Sequence, residues 1–200
     1  GLEDFVRELA GACPGLTIYS TGGTHAALEK ILAPGGAEKL RQVSEYTGQP
    51  EMQGGLVKTL DYRIYLGLLG ETYNPAHQED LRRAAAVPFD LVVVNLYPFG
   101  RAVAEKDAVI EDGRTHIDIG GPCMLRAAAK NFLRVAAVCD PADYSGVAGE
   151  LKANGGRLDI ATRFRLAKKV FRRTAEYDAA IADYFAGKTD AEPLGLYEMK

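Results

Sequence analysis

The stretch Phe89–Leu96, FDLVVVNL, decides the fold class of this 200-residue chain. Its centre is continuously apolar and mostly β-branched, and Pro98 follows it, so it predicts a buried strand. A second run of this kind, RVAAVC, covers Arg134–Cys139. Because neither run alternates apolar with polar residues, both strands are expected to be covered on two faces. The pattern predicts an α/β domain with parallel strands and crossover helices.

Weaker strands and a series of helices surround these two strands along the chain. The weaker strands are predicted at Leu16–Tyr19 and Arg41–Val43. Helical spacing and capping residues predict helices from Leu2, at Thr24–Leu32, Pro75–Ala86 and Pro122–Asn131, from Asp140 to about Asn154, and at Asp159–Phe185. No repeat or long linker divides the chain, so a single domain is expected over residues 1–200. Ligands of such sheets bind beyond the carboxyl ends of the strands, which directs attention to the turns there.

Composition and charge narrow the classes of function. Apolar residues make up 47% and charged residues 26% of the chain, as in a globular protein. The net charge of −3 and the lack of a Lys/Arg block argue against binding to nucleic acid or to a membrane surface. No apolar run approaches the ~18 residues of a membrane span and no signal peptide is recognisable, so a cytoplasmic protein is expected. Three cysteines and three histidines without CxxC spacing predict no zinc site and no disulfide framework.

Two glycine-containing turns before predicted helices suit anionic groups. Ser20-Thr21-Gly22-Gly23-Thr24 combines hydroxyls, two glycines and a helix start, which together suit a phosphate dianion. The alternative is a tight turn capped by Thr21 or Thr24. In Ile117–Gly121, the isoleucines around Asp118 favour a catalytic base, and the N–H groups of Gly120 and Gly121 suit a developing oxyanion. The alternative is that Asp118 caps the following helix.

The remaining candidate residues are two lysines and the polar residues after the strongest strand. Lys58 lies between apolar neighbours after Gly54-Gly55, which suits pairing with an acid or with a ligand; an ordinary solvated lysine is the alternative. Asn95 and Tyr97 emerge where the strand ends and are expected to face a ligand, unless Tyr97 is a packed aromatic. Lys130 closes the alanine-rich helix, where the helix dipole favours a cation. It lies roughly 13 Å along that helix from Gly121, so it reaches a site there only if the helix is short, bent or laid across the pocket.

Several of these segments together resemble one known family. The motifs STGGT, VSEYTGQPEM, VKTL, FDLVVVNLYPF, IDIGGPCMLRAAAKN, DPADY, LKANGG and TAEYDAAIADYF follow one another in the family's order. The chain is similar over residues 1–186 to inosine monophosphate (IMP) cyclohydrolase, the N-terminal half of the bifunctional purine-biosynthesis enzyme. The resemblance implies a methylglyoxal-synthase-like three-layer α/β domain with a mostly parallel central sheet and a long C-terminal helical segment.

The resemblance also implies an activity and its partners. The expected reaction is the closure of a formamido-imidazole-carboxamide ribotide (FAICAR) to IMP with loss of water, by a homodimer without metal or organic cofactor. The formyltransferase half needs several hundred further residues, so a stand-alone cyclohydrolase with a separately encoded formyltransferase is expected. The family's catalytic positions fall on Lys58, Tyr97, Asp118 and Lys130. Its substrate-binding positions fall on Ser20, Thr21, Gly22, Gly23, Thr24, Thr59, Asn95, Ile119, Gly120 and Gly121.

The chain also departs from the family pattern. The family's first strand and its Ser-Asp-Lys-Thr turn have no counterpart before Gly1-Leu2. Cationic or imidazole residues of the family are replaced by Leu56, Asp61, Tyr65 and Phe132, and a proline by Tyr62. Two other functions of the same fold therefore stay open. One is a non-catalytic purine-nucleotide-binding regulatory module, which needs the STGGT turn but not the four catalytic positions. The other is a lyase like methylglyoxal synthase, whose pattern lacks VKTL, NLYPF and the AAAKN helix.

Overall fold

The computed structural model describes residues 1–33, 35–50, 52, 57–97, 99–103 and 109–196. Four short strands are present: β1 Ile18–Ser20, β2 Leu40–Gln42, β3 Leu91–Val93 and β4 Ala136–Val138. The helices are α1 Leu2–Ala12, α2 Gly22–Leu32, α3 Val43–Thr47, α4 Tyr62–Leu69, α5 Pro75–Arg83, α6 Phe99–Ala102, α7 Ile110–Thr115, α8 Gly120–Lys130, α9 Tyr144–Ala153, α10 Ile160–Ala186 and α11 Ala191–Leu196. None of the described helices is long and apolar enough to cross a membrane.

The strands form two parallel pairs. In the first pair Ile18 lies opposite Leu40, and in the second Leu91 lies opposite Ala136. Tyr19 of β1 meets Phe89, two residues before β3, in an aromatic cluster where the centroids of the two rings are 5.3 Å apart. The predicted α/β class with parallel strands is confirmed.

Helices cover both faces of the β3–β4 pair. Ala137 and Cys139 pack into a core with side chains of α4, α8 and α10. Ala136 and Val138 face the other way, into a core with α1 and α9. Alternate residues of one strand therefore enter two different cores, which is why the strand is apolar throughout rather than at every second position. The sheet pair and its helices form the expected three layers.

A buried polar node holds the start of β4 against α4. The side-chain amide of Asn131 donates to Leu68 O at 2.8 Å and to Gly70 O at 3.3 Å. Arg134 donates to Phe89 O and Gly70 O, and its burial lowers the pKa of the guanidinium. Carbonyl groups at the end of α4 and before β3 are satisfied in this way, away from water.

The element boundaries differ from the predicted ones in two respects. The strands are shorter, because β4 ends at Val138 and Asp140 then caps a 3-10 turn, so β3 loses its partner after Val94. Helices α3, α4, α6, α7 and α11 were not predicted. In the α4 segment YRIYLGLL the buried residues Ile64, Gly67 and Leu68 have helical spacing, but the exposed Tyr62 and Leu69 are also apolar and obscure it. Asp61 caps α4 by accepting the Arg63 N–H at 2.8 Å. Leu56 and Gly54-Gly55 lie outside the described residues.

Candidate active site

The Ser20–Thr24 turn joins the end of β1 to the start of α2. Gly22 has a φ of +49°, a conformation that favours glycine. A Cβ added at Gly22 would lie 3.2 Å from Lys58 Nζ. The Lys58 ammonium therefore lies against the glycine turn, and the two residues are 36 positions apart in sequence. The turn and the lysine, predicted separately, are brought together.

The Thr21 hydroxyl does not cap helix α2. Thr21 is the residue before α2, yet its side chain accepts no capping hydrogen bond. The predicted alternative was a turn capped by Thr21 or Thr24, and for Thr21 it is wrong. Gly23 and Thr24 are exposed in the first turn of α2, while Ser20 is buried at the end of β1. A helix start, a nearby ammonium and an uncommitted hydroxyl suit an anionic group.

Asp118 precedes α8 and binds its first turn. One carboxylate oxygen of Asp118 accepts the Gly121 N–H at 2.9 Å. The capping role considered for Asp118 is thus present, and it changes the role predicted for Gly121. Because that N–H is bound by Asp118, it is not available to an oxyanion. Gly120, the first residue of α8, keeps an N–H without an acceptor inside the helix.

Thr59 connects this helix start with Lys58. A Cβ added at Gly120 would lie 2.6 Å from Thr59 Oγ1, so the hydroxyl occupies the space beside the glycine. Lys58 touches the turn before α2 and its neighbour Thr59 touches the start of α8. Adjacent residues in sequence therefore bridge the two turns that were singled out. Ile119, between Asp118 and Gly120, is exposed.

Tyr177 of α10 is a residue of this site that sequence reasoning missed. Its hydroxyl accepts the Asp118 N–H at 2.8 Å and donates to His116 O at 3.4 Å. The ring is buried, and this burial raises the pKa of Tyr177. The hydroxyl thus keeps its proton and holds the loop that carries Asp118. The one sequence signal for Tyr177 was its helical spacing with other apolar residues of α10. That spacing is the ordinary pattern of a core residue.

Asn95 and Tyr97 take different directions after β3. Tyr97 has 70% of its surface exposed, so the alternative of a packed aromatic is wrong. The Asn95 side-chain amide donates to the Tyr144 hydroxyl at 2.8 Å, and the Tyr144 ring stacks on Phe5. Leu96, between them, lies close to Gly121. The segment therefore borders the start of α8 on one side and the DPADY motif on the other.

Lys130 lies at the opposite end of α8 from Asp118. It is the last residue of α8, an 11-residue helix, and it is exposed. At 1.5 Å per residue it lies about 13 Å along the helix from Gly121. The catalytic role expected of Lys130 therefore stays a prediction, and about 13 Å of helix lie between Lys130 and the N-terminal end of α8.

The substituted positions after VKTL have structural contacts of their own. Asp61 caps α4, and Arg63 donates to Tyr46 O. The Tyr65 hydroxyl is buried without a hydrogen-bond partner among the described residues, although the Cys123 thiol lies beside it. Burial, reinforced by Cys123, raises the pKa of Tyr65 well above its ordinary value. No group of His, Cys, Asp and Glu side chains suited to a metal ion occurs in the described part of the chain.

Comparisons with known proteins agree with this architecture. The fold and the site define a class of α/β domain. In this class a glycine turn follows the first strand and lies near the start of a second helix. A model of the MGS-like domain matches residues 1–123, and the chain belongs to that family. Residues 128–199 match a model described as AICARFT/IMPCHase bienzyme, which relates the chain to purine biosynthesis. The crystal structure of ForH is similar, with 30% identity, a TM-score of 0.76 and 92% of each chain covered.

Proposed function

We propose that this chain is an IMP cyclohydrolase that closes FAICAR to IMP with loss of water. The observation that carries the proposal is the bridge made by Lys58 and Thr59 between the glycine turn and the start of α8. A ribotide has a phosphate at one end and its reacting base at the other, so it needs two such sites joined in one pocket. The two family matches support the same substrate class.

The proposed chemistry uses the groups at the start of α8. The carboxamide nitrogen attacks the formyl carbon, a C–N bond forms, and the amide proton passes to the Asp118 oxygen that does not bind Gly121. Oxyanion charge is stabilised by the Lys58 ammonium and the Gly120 N–H. The Asp118 carboxyl returns its proton to the oxyanion, which gives the carbinolamine. The hydroxyl then leaves as water with a proton from Tyr97, the proposed donor, while the formamido nitrogen loses its proton to the Tyr97 oxygen and the C=N bond forms. The two reacting arms belong to one molecule, so positioning contributes much of the rate.

The roles of the remaining residues follow from this proposal. Ser20, Thr21, Gly22, Gly23 and Thr24 bind the phosphate and ribose, and Asn95, Ile119 and Gly121 border the base. The whole of residues 1–200 forms one cyclohydrolase domain, which acts as a homodimer without metal or organic cofactor. A formyltransferase reaction supplies the substrate.

A non-catalytic nucleotide-binding module is the second candidate. It is favoured by the position of Lys130, which is remote from Asp118, and by the Gly121 N–H, which Asp118 already binds. Such a module needs the phosphate turn and Lys58 but no base or proton donor.

One assay separates the two candidates. Purified protein is mixed with FAICAR, and IMP formation is followed against the spontaneous rate. An enzyme raises the rate in proportion to its concentration, whereas a binding module leaves the rate unchanged but gives heat with IMP in calorimetry. Absence of both rate and heat would contradict the ribotide site itself.

A further inference from the structure

A cavity of about 560 Å³ lies at the carboxyl ends of β3 and β4, beside the long helix α10. Its lining comprises Asn95, Leu96, Cys139, Asp140, Pro141, Lys169, Arg172, Arg173 and Glu176. The volume is within the range of sites for small molecules. Strand ends of a parallel pair are also where α/β folds bind ligands. Apart from Asn95, no polar residue of this cavity belongs to the proposed ribotide site.

Three cations of α10 line one wall of the cavity. Arg172 and Arg173 follow Lys169 by three and four residues, so each of them neighbours Lys169 on the helix surface. Lys169 is held between two carboxylates, at 2.8 Å from Asp140 and 2.7 Å from Asp143. Its charge is thus balanced within the protein.

The two arginines differ from Lys169. No carboxylate of the described residues is within ion-pair distance of Arg172 or Arg173, and both side chains are exposed. Two carboxylates line the cavity besides these cations, Glu176 one turn further along α10 and Asp140, whose pKa the nearby Lys169 and Arg173 lower. Leu96, Cys139 and Pro141 form the apolar part of the lining, and burial raises the pKa of Cys139, which favours its neutral thiol. The cavity therefore combines an apolar floor with two guanidinium groups.

We propose that this cavity is a second ligand site, which binds a phosphate-bearing small molecule through Arg172 and Arg173. Guanidinium groups bind phosphate with paired hydrogen bonds, and two of them on adjacent residues can hold one dianion. The apolar floor and Asn95 receive the organic part of the ligand. The site is separate from the Ser20–Thr24 turn, and the two share only the wall formed by Asn95 and Leu96.

The test follows inorganic phosphate and ribose 5-phosphate by NMR of the whole chain. Saturable shifts are expected for the Asn95 side-chain amide and for the Nε–H signals of Arg172 and Arg173. In the double variant Arg172→Gln and Arg173→Gln, the affinity at this site falls about tenfold or more. The matched control is the double variant Lys152→Gln and Lys168→Gln, which removes the same charge from exposed positions outside the cavity and changes the affinity by less than about twofold. Each single arginine variant is measured as well, so that a folding defect of the double variant leaves the test intact.

The outcomes are distinguishable from those of the proposed function. Shifts confined to the Gly22 and Gly23 amides would overturn the second site and leave the ribotide site standing. Shifts confined to the cavity would support the second site while contradicting the phosphate role of the glycine turn. Equal loss of affinity in both double variants would show a general effect of charge and would overturn the inference. A larger affinity for ribose 5-phosphate than for phosphate assigns the organic part to the apolar floor, and a smaller one excludes it from the cavity.

Discussion

Gly22 and Gly23 are neighbours in sequence but differ in their surroundings. A Cβ on Gly22 meets Lys58 Nζ and is strained by the left-handed backbone there, whereas a Cβ on Gly23 has no atom within 4 Å. Gly22→Ala is expected to lower the free energy of unfolding by about 1 kcal/mol and to raise KM several-fold. Gly23→Ala is expected to stabilise the helix start by about 0.5 kcal/mol and to raise KM less than Gly22→Ala does, because its N–H remains and its φ is not left-handed. Urea denaturation and steady-state kinetics measure both. Equal effects of the two substitutions would contradict the placement of Lys58.

Asp118 has a structural bond and a proposed chemical role, and one substitution separates them. In Asp118→Asn the side-chain oxygen still accepts the Gly121 N–H, so the fold is expected to be retained. The proton acceptor is lost, and kcat is expected to fall by about 10²- to 10⁴-fold with KM within twofold. The Asp118→Ala variant also removes the cap and loses about 1 kcal/mol of stability. Asp118→Asn with equal loss of binding and turnover would show that the carboxylate acts only as a cap.

At the scale of elements, α10 supports the loop that carries Asp118. Tyr177→Phe removes the hydroxyl between His116 O and the Asp118 N–H, and we expect kcat to fall between about 5- and 100-fold while KM changes little. The matched control is Tyr184→Phe on the same helix, whose hydroxyl donates to Val109 O at 3.1 Å and does not contact Asp118. Each variant is expected to lose about 1 kcal/mol of stability.

Thermal unfolding and the separate values of kcat and KM distinguish positioning from stability. A similar fall in kcat for Tyr177→Phe and Tyr184→Phe would mean that general destabilisation of α10 explains the loss of activity, and not the position of Asp118. An unchanged kcat in Tyr177→Phe would mean that the Asp118 loop holds its position without the long helix.

The helices and strands also show which secondary-structure elements can be predicted from the sequence. Strands β3 and β4 are predicted because burial on two faces demands apolar residues at every position. Helix α4 is not predicted, although its buried residues Ile64, Gly67 and Leu68 have helical spacing, because the exposed Tyr62 and Leu69 are also large and apolar and obscure that spacing. Helices α2, α5 and α10 are predicted within a few residues, because capping residues and helical spacing mark their limits.

At the scale of the whole molecule, the Asn131 node joins the N-terminal and C-terminal family regions. Asn131→Ala leaves the Leu68 carbonyl without its buried donor, while Gly70 O keeps its bond from Arg134, and the variant is expected to cost about 1–3 kcal/mol in the free energy of unfolding. The neighbouring Lys130→Ala, at an exposed position, is expected to change it by less than about 0.5 kcal/mol. Urea denaturation measures both; a neutral Asn131→Ala would indicate that water replaces the amide.

The candidate site was predictable in its residue types and only partly in its arrangement. The glycine turn, Asp118 and Lys58 are recognisable because glycines, hydroxyls and charges at strand ends have few structural reasons to be there. Tyr177 was not recognisable, because a tyrosine at helical spacing has the pattern of a core residue whether or not its hydroxyl binds a distant loop. Lys130 was expected at the site through a motif, and the length of α8 separates it.

The sequence by itself determined the α/β class, the approximate positions of the main helices and the polar residues at the strand ends. These depend on local causes, namely the apolar content that burial requires and the backbone preferences of glycine, proline and capping residues. Only the tertiary structure decided that Lys58 lies against Gly22, that Thr59 fills the space beside Gly120, and that Tyr177 binds the Asp118 loop. Each of these contacts joins residues far apart in sequence or on different elements. No local pattern carries that information, since the packing of helices on the sheet sets which distant side chains meet.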